Sequence, residues 1–185
     1  TYVTRNFGNA PTLKSLECTD YAKMSNDDSD EYEIVDVLIF YHKQGLIAKY
    51  FGDFIVKMYK TNKPHEQSLW SSDVARLNYI VKIVVGDDKT EWLTDKNGIK
   101  IKDTIIVPML KYINEKILIY TKDKSKLIAS CNSSGVIEIL NKISVATEIS
   151  CDIDSDAISR DIIKYIAPYF SIDSNLLLPK QWILL

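Results

Sequence analysis

Ile106, Leu110, Ile113, Ile117 and Tyr120 follow one another at steps of four, three, four and three. A helix with about 3.6 residues per turn returns all five side chains to one face, so the spacing predicts a core helix over residues 104–121. Asp103 stands where it can cap that helix, and Pro108 is tolerable only in or near the first turn, where its missing N–H costs little. A face this apolar has to be buried, and the other segments are read as what surrounds it.

Upstream, Ile34, Val37, Leu38 and Tyr41 fall at helical spacing before Gly45, and Ile47, Tyr50, Phe51, Phe54, Ile55 and Met58 form a second stripe closed by Asn62-Lys63-Pro64. These predict a helical hairpin over residues 32–44 and 46–59. Its aromatic side chains, Tyr41, Tyr50, Phe51, Phe54 and Tyr59, read as core rather than as a stacking surface for single strands. Val74, Leu77, Ile80, Val81 and Val84 then predict a third helix over residues 73–85. Alternating residues around Asn97-Gly98 predict a β-hairpin at about residues 90–102, with Trp70 and Trp92 fastening it to the helices. Residues 127–131 fit a strand or a helical turn. Val136, Ile139, Leu140 and Ile143 define a fifth helix; Ile158, Ile162, Ile163 and Ile166, capped by Asp154 or Ser155 and stopped before Pro168, define a sixth.

The fold class is therefore mainly α (α+β), a helical domain of about six helices with one β-hairpin. Residues 1–31 read as an irregular arm that wraps it, 32–170 as the domain, and 171–185 as an apolar tail. The length of 185 residues suits one domain with appendages, and 46% hydrophobic against 26% charged residues excludes disordered and collagen-like chains. With 23 basic against 25 acidic residues the chain is no uniformly basic nucleic-acid coat, and only local patches remain as electrostatic partners. Cys18, Cys131 and Cys151 are odd in number and far apart, which offers neither a disulfide framework nor a metal clip, and a reducing compartment is expected. No apolar run reaches the roughly 18 residues that span a bilayer, and Thr1-Tyr2-Val3-Thr4-Arg5 has no signal-peptide pattern. Without an initiator Met, the chain is expected to be a fragment or a processed product.

Few residues carry recognisable chemistry. His42 and His65 have no second ligand at metal spacing, and neither a phosphate loop, a GxGxxG run nor a nucleophile elbow occurs. Asp152, Asp154 and Asp156 resemble the odd positions of a calcium loop but lack its glycine, and Ile163 stands where its last Glu belongs, so an Asp-rich helix start is the better reading. Asp27, Asp28, Asp30 and Glu31 read as a solvated loop. Asp73, Arg76 and Tyr79 would share a face of the third helix, with an Asp73–Arg76 ion pair but no nucleophile. No catalytic residue, metal or cofactor is expected.

Short helices followed by a β-hairpin is the order of a winged-helix domain, in which a helix enters the major groove and the hairpin meets phosphates. The helix would offer Arg76, Asn78 and Lys82, and the wing Lys96, Lys100 and Lys102. Asp87, Asp88, Glu91, Asp95 and Asp103 nearly cancel that field. An apolar tail at Leu176–Leu178 and Trp182–Leu185 instead asks for a partner or a docking site, with Leu177, Trp182 and Leu184 as the contact residues.

Asn6-Phe7-Gly8-Asn9-Ala10-Pro11, Tyr50-Phe51-Gly52-Asp53-Phe54-Ile55, the stretch Trp70-x-x-Asp73-x-x-Arg76-Leu77-x-Tyr79-Ile80, Trp92-Leu93-Thr94-Asp95-Lys96-Asn97-Gly98 and Ile105-Ile106-Val107-Pro108-Met109-Leu110 together resemble an uncharacterised domain of giant double-stranded DNA virus proteins. The similarity covers about residues 2–120, and in those proteins a zinc finger and a coiled coil often precede the domain. It implies a viral protein of the infected host cytoplasm, in the viral factory, or of the virion, which the twenty Lys against three Arg, a hint of an A+T-rich genome, agree with. The function expected is a non-enzymatic viral interaction or adaptor domain that associates with other viral proteins or with itself, the alternative being a DNA-binding module. On that alternative, replacing Lys96, Lys100 and Lys102 with Glu abolishes DNA affinity in an anisotropy titration and leaves the fold intact; affinity that survives the change removes the wing.

Overall fold

A computed structural model describes residues 2–24, 33–87 and 89–172. In chain order the elements are α1 (Tyr2–Asn6), α2 (Cys18–Tyr21), α3 (Glu33–Lys43), α4 (Ile47–Tyr59), β1 (Leu69–Asp73), β2 (Asn78–Val85), β3 (Lys89–Asp95), α5 (Ile99–Ile101), α6 (Val107–Leu127), α7 (Ser133–Asp154) and α8 (Ala157–Ile166). The domain is mainly α, with one three-stranded antiparallel sheet in the order β1-β2-β3.

The four-three pattern is buried as its spacing requires. Ile106, Leu110, Ile113, Ile117 and Tyr120 are all within 3% of complete burial, and Met109 joins them. The helix begins earlier than Asp103, because α5 and a π-helical turn at Lys102–Ile106 run into α6 without a break. Pro108 has no N–H to give the carbonyl four residues back, and that carbonyl, of Thr104, accepts the Ser15 hydroxyl at 2.6 Å. The residues left open at 127–131 form a helical turn, Ile128–Ser130, and Asn132 then caps α7 by accepting the Gly135 N–H at 2.9 Å. α7 extends well beyond the predicted apolar segment on both sides. α8 starts after Asp156 rather than at Asp154 or Ser155.

The third predicted helix, residues 73–85, is not a helix. Residues 78–85 are the central strand β2, with Leu69 opposite Val81 on one side and Tyr79 opposite Asp95 on the other. Tyr79, Ile80, Val81 and Lys82 are buried in succession. A strand covered on both faces reads as a continuous apolar run, which fits helical spacing as well as it fits a sheet. The enrichment in β-branched residues across 80–85 is what separates the two.

The hairpin is displaced for a related reason. β2 and β3 turn at Gly86 and Asp87, whereas Asn97 and Gly98, with φ of 58° and 67°, carry the chain out of the sheet into α5. The Asn-Gly pair supplies the left-handed backbone its chemistry favours, but a helix follows instead of a second strand. Asp95 decides this: its carboxylate, 2% exposed, accepts the Lys100 and Ile101 N–H groups at 2.9 and 3.1 Å. Gly98 also has no room for a side chain, since a Cβ there would lie 3.0 Å from Ile163 Cγ2.

Leu69, Tyr79 and Val81 face the helices, while Trp70 and Ile80 face the N-terminal arm. The Phe7 ring stacks on Trp70 at 5.6 Å, Trp92 Nε1 donates to the Phe7 carbonyl at 3.0 Å, and the Leu13 N–H donates to the Lys82 carbonyl at 2.7 Å. Trp70 and Trp92 therefore hold the arm to the sheet, not the hairpin to the helices. Val3, Leu13 and Tyr21 of the arm are buried. α3 and α4 form the expected helical hairpin at Gly45, with Phe51 and Phe54 in the core. Tyr50 lies against Tyr41 at 4.8 Å, and the Tyr59 hydroxyl donates to the Lys14 carbonyl. The tail residues Leu177, Trp182 and Leu184 lie outside the described residues.

α4 meets α8 at Gly52, where a Cβ would stand 2.1 Å from Cδ1 of the Tyr165 ring. Gly52→Ala is expected to push that ring off α4 and cost about 1–3 kcal/mol, a fall of about 2–4 °C in Tm per kcal/mol in a thermal melt. Gly8→Ala, with open space around it, is the control; equal midpoints for the two variants would remove the close approach from the account.

Candidate functional site

α6 and α7 run antiparallel and leave a groove between their solvent faces, with a volume of about 630 Å³. Leu110, Ile117 and Ile153 form its floor, and Val107 and Leu118 stand open at its rim. Across it the Ser150 hydroxyl donates to Asn114 Oδ1 at 2.5 Å, and Asn114 Nδ2 donates to Asp154 Oδ1 at 3.3 Å. This short chain ties the two helices together, with Ser150 engaged by an amide rather than by a base. At the end of the groove Lys102 Nζ lies 2.6 Å from Asp156 Oδ2, and the hydrogen bond from Lys102 is the main reason the Asp156 carboxyl is held below the usual carboxylate range. An apolar trough with a few convergent polar groups is the ordinary form of a binding site.

Exposed aliphatic side chains are numerous on these two helices. Of thirteen large hydrophobic residues exposed among those described, six are on these two helices: Val107, Leu118, Ile119, Leu127, Ile137 and Leu140. Leu118 is 69% and Ile137 61% exposed, the two highest values in that group. Of the six, Val107 and Leu118 line the groove, and the others stand on further parts of the two helices. The sequence held this signal, because Leu118 and Ile119 fall off the four-three pattern and Ile137 sits outside the Val136, Ile139, Leu140, Ile143 series.

The residues expected to read DNA are not gathered into one surface. With residues 78–85 in a strand, no recognition helix stands there, and the winged-helix arrangement of helix 73–85 with wing 90–102 is overturned. Arg76, Asn78 and Lys96 do line one shallow depression beside Asn97. Arg76 also lies 3.1 Å from Asp73 across a turn, and its backbone N–H donates to the Asp73 carboxylate at 3.0 Å, the first of the contacts that hold Asp73 below its ordinary value. Lys82 is 3% exposed and its ammonium donates to the Gly8 carbonyl inside the fold. Lys100 belongs to the first turn of α5, and Lys102 points to the groove and Asp156. Tyr79, expected beside Asp73 and Arg76, is buried, with its hydroxyl donating to the Ile163 carbonyl at 2.7 Å.

The three aspartates at the α7–α8 junction are likewise separated by their partners. Asp152 lies 3.3 Å from His42 Nε2, Asp154 accepts from Asn114, and Asp156 from Lys102. Among the described residues no three His, Cys, Asp or Glu side chains are grouped to hold a metal ion, and no helix is long and apolar enough to cross a membrane. Comparison with protein-family models, curated proteins and solved structures finds no match to the chain.

The Lys102–Asp156 pair gives a pH signature. Asp156 is more acidic folded than its ordinary 3.8, so the pair's contribution is present above that value and is lost as pH falls through the lowered folded value. With side chains 31% and 40% exposed, the contribution is discounted to about 1 kcal/mol or less. Lys102→Ala is expected to lower Tm near neutral pH and to converge with the parent chain as pH falls below 3.8 and through the lowered Asp156 value; a gap that stays constant down to acid pH would mean that lost packing of the Lys102 stem, not the ion pair, sets it.

Proposed function

We propose that this chain is a non-enzymatic interaction domain, an adaptor between viral proteins that works in the infected-cell cytoplasm or in the virion. The observation that supports this most is the open groove between α6 and α7, with an apolar floor and the exposed Val107 and Leu118 at its rim. Contiguous apolar surface is costly to leave in water, and on a folded domain it marks where another protein binds. A helix face laid into such a groove removes that surface from water, with Leu118 and Val107 as natural anchors. The polar groups at the site, Asn114, Ser150 and Asp154, bind each other, which suits a shaped and rigid surface better than a reacting centre.

DNA binding is the rival reading and rests on the depression lined by Arg76, Asn78 and Lys96. It would draw its affinity from phosphate contacts, and its salt dependence would follow. A single experiment separates the two: a photo-crosslinking amino acid is placed at Leu118 in one variant and at Lys96 in another, and each is irradiated in infected cells. Polypeptide adducts at Leu118 and none at Lys96 are expected. Nucleic-acid adducts at Lys96, with none of any kind at Leu118, would replace the adaptor reading with the DNA-binding one.

A further inference from the structure

We propose that the α6–α7 face binds a second copy of this chain, with α6 of each copy laid along α7 of the other about a two-fold axis. The inference rests on the reading that this face binds protein, and it names the partner. Two observations carry it. The first is exposed aliphatic surface on both helices: Leu118 on α6 and Ile137 and Leu140 on α7 are each at least half exposed. The second is the division of charge between the helices. Among their exposed residues α6 carries Lys111, Lys122 and Lys126 against Glu115, a net charge of +2, while α7 carries Glu138, Glu148 and Asp154, a net charge of −3; Lys116 and Lys124 lie over the Tyr112 and Tyr120 rings, and Lys142 and Asp152 face Asp36 and His42 of α3.

That division fixes the arrangement. Placing α6 on its own counterpart would oppose two basic helices, and placing α7 on its counterpart would oppose two acidic ones. Only the crossed pairing sets Lys111 and Lys122 of one copy against Glu148 and Asp154 of the other while the aliphatic side chains meet between them. A surface made of an acidic and a basic half is complementary to itself after a two-fold rotation, which is the condition for a closed, isologous dimer. The charges select the register and speed the encounter, and the aliphatic side chains supply the affinity.

The test is light scattering and sedimentation equilibrium of the full chain, with a charge-reversal pair as the decisive arm. The parent chain is expected at twice 21.2 kDa. Leu118→Asp, an exposed position on an otherwise intact helix, is expected to weaken dimerisation by about tenfold or more with an unchanged circular dichroism spectrum and Tm. Lys122→Glu and Glu148→Lys are each expected to weaken it alone, and mixing the two variants is expected to recover a heterodimer, a result that a merely structural effect of either substitution would not produce. A parent chain that stays at 21.2 kDa at every concentration, or charge variants that do not complement each other, would overturn the proposal. So would a dimer that survives Leu118→Asp and dissociates on Leu177→Asp or Trp182→Asp, because the tail would then be the contact. If the chain is monomeric and the Leu118 crosslinker captures a different polypeptide, self-association fails while the adaptor reading stands.

Discussion

The buried carboxylate of Asp95 is the joint on which the two layers of the domain depend. It sits at the last position of β3, opposite Tyr79, and satisfies two of the N–H groups that every helix start leaves without an intrahelical partner. The chain can therefore leave the sheet and become a helix with no polar group stranded inside. Burying a carboxylate is costly unless it is bonded, and these bonds are what offset that cost. Tyr79 closes the same joint from the other side: its ring meets the space that Gly98 leaves empty, and its hydroxyl donates to the Ile163 carbonyl of α8. Burial, and then the charge of Asp95, push that hydroxyl above its ordinary value, so it stays a donor throughout the physiological range.

From this joint the position of the candidate site follows. The direction of α5 sets the direction of α6 through the π-helical turn, and the long α6 determines where the antiparallel α7 can lie. Asp36 then ties α3 to both, accepting from the Tyr120 hydroxyl at 2.8 Å and lying 3.2 Å from Lys142 Nζ. The third side of α6 and the matching side of α7 receive no helix among the described residues, and that is where the groove opens. The groove is thus a consequence of a three-helix arrangement with one face left over, and its shape is held by the Ser150–Asn114–Asp154 chain rather than by a covering element.

The parts of this fold legible in the sequence are those where one face alone is buried. The four-three series of α6, the α3–α4 hairpin and the stripe of α8 each have a polar side, and amphipathic spacing reports it. β2 has no polar side, so its spacing carries no information about its type, and the run Tyr79–Val85 needed its β-branched content to be weighed above its periodicity. Asn97-Gly98 was legible as backbone conformation and illegible as topology, because two left-handed residues reverse a chain equally well into a strand or into a helix. What decides is Asp95, two residues before Asn97, a side chain whose role depends on being buried. The site was harder still. Lys82 looks like a phosphate contact in the sequence and is a strut from β2 to the arm, since its partner, the Gly8 carbonyl, is 74 residues away.

The exposed aliphatic side chains of α6 and α7 are not explained by folding. Replacing Leu118 or Ile137 with a polar residue would cost the isolated domain little, because side chains more than half exposed gain little from burial within it. A charged residue at either place would lower the tendency to aggregate, and the flanking lysines and acids show that charge is tolerated on both helices. Aliphatic side chains at such positions therefore work against the solubility of the single chain and in favour of an assembly that removes them from water. The opposed charges point the same way: Lys122 and Glu148 take no part in the hydrogen-bond chain that joins the two helices, whereas a partner presented to that face would be oriented by them.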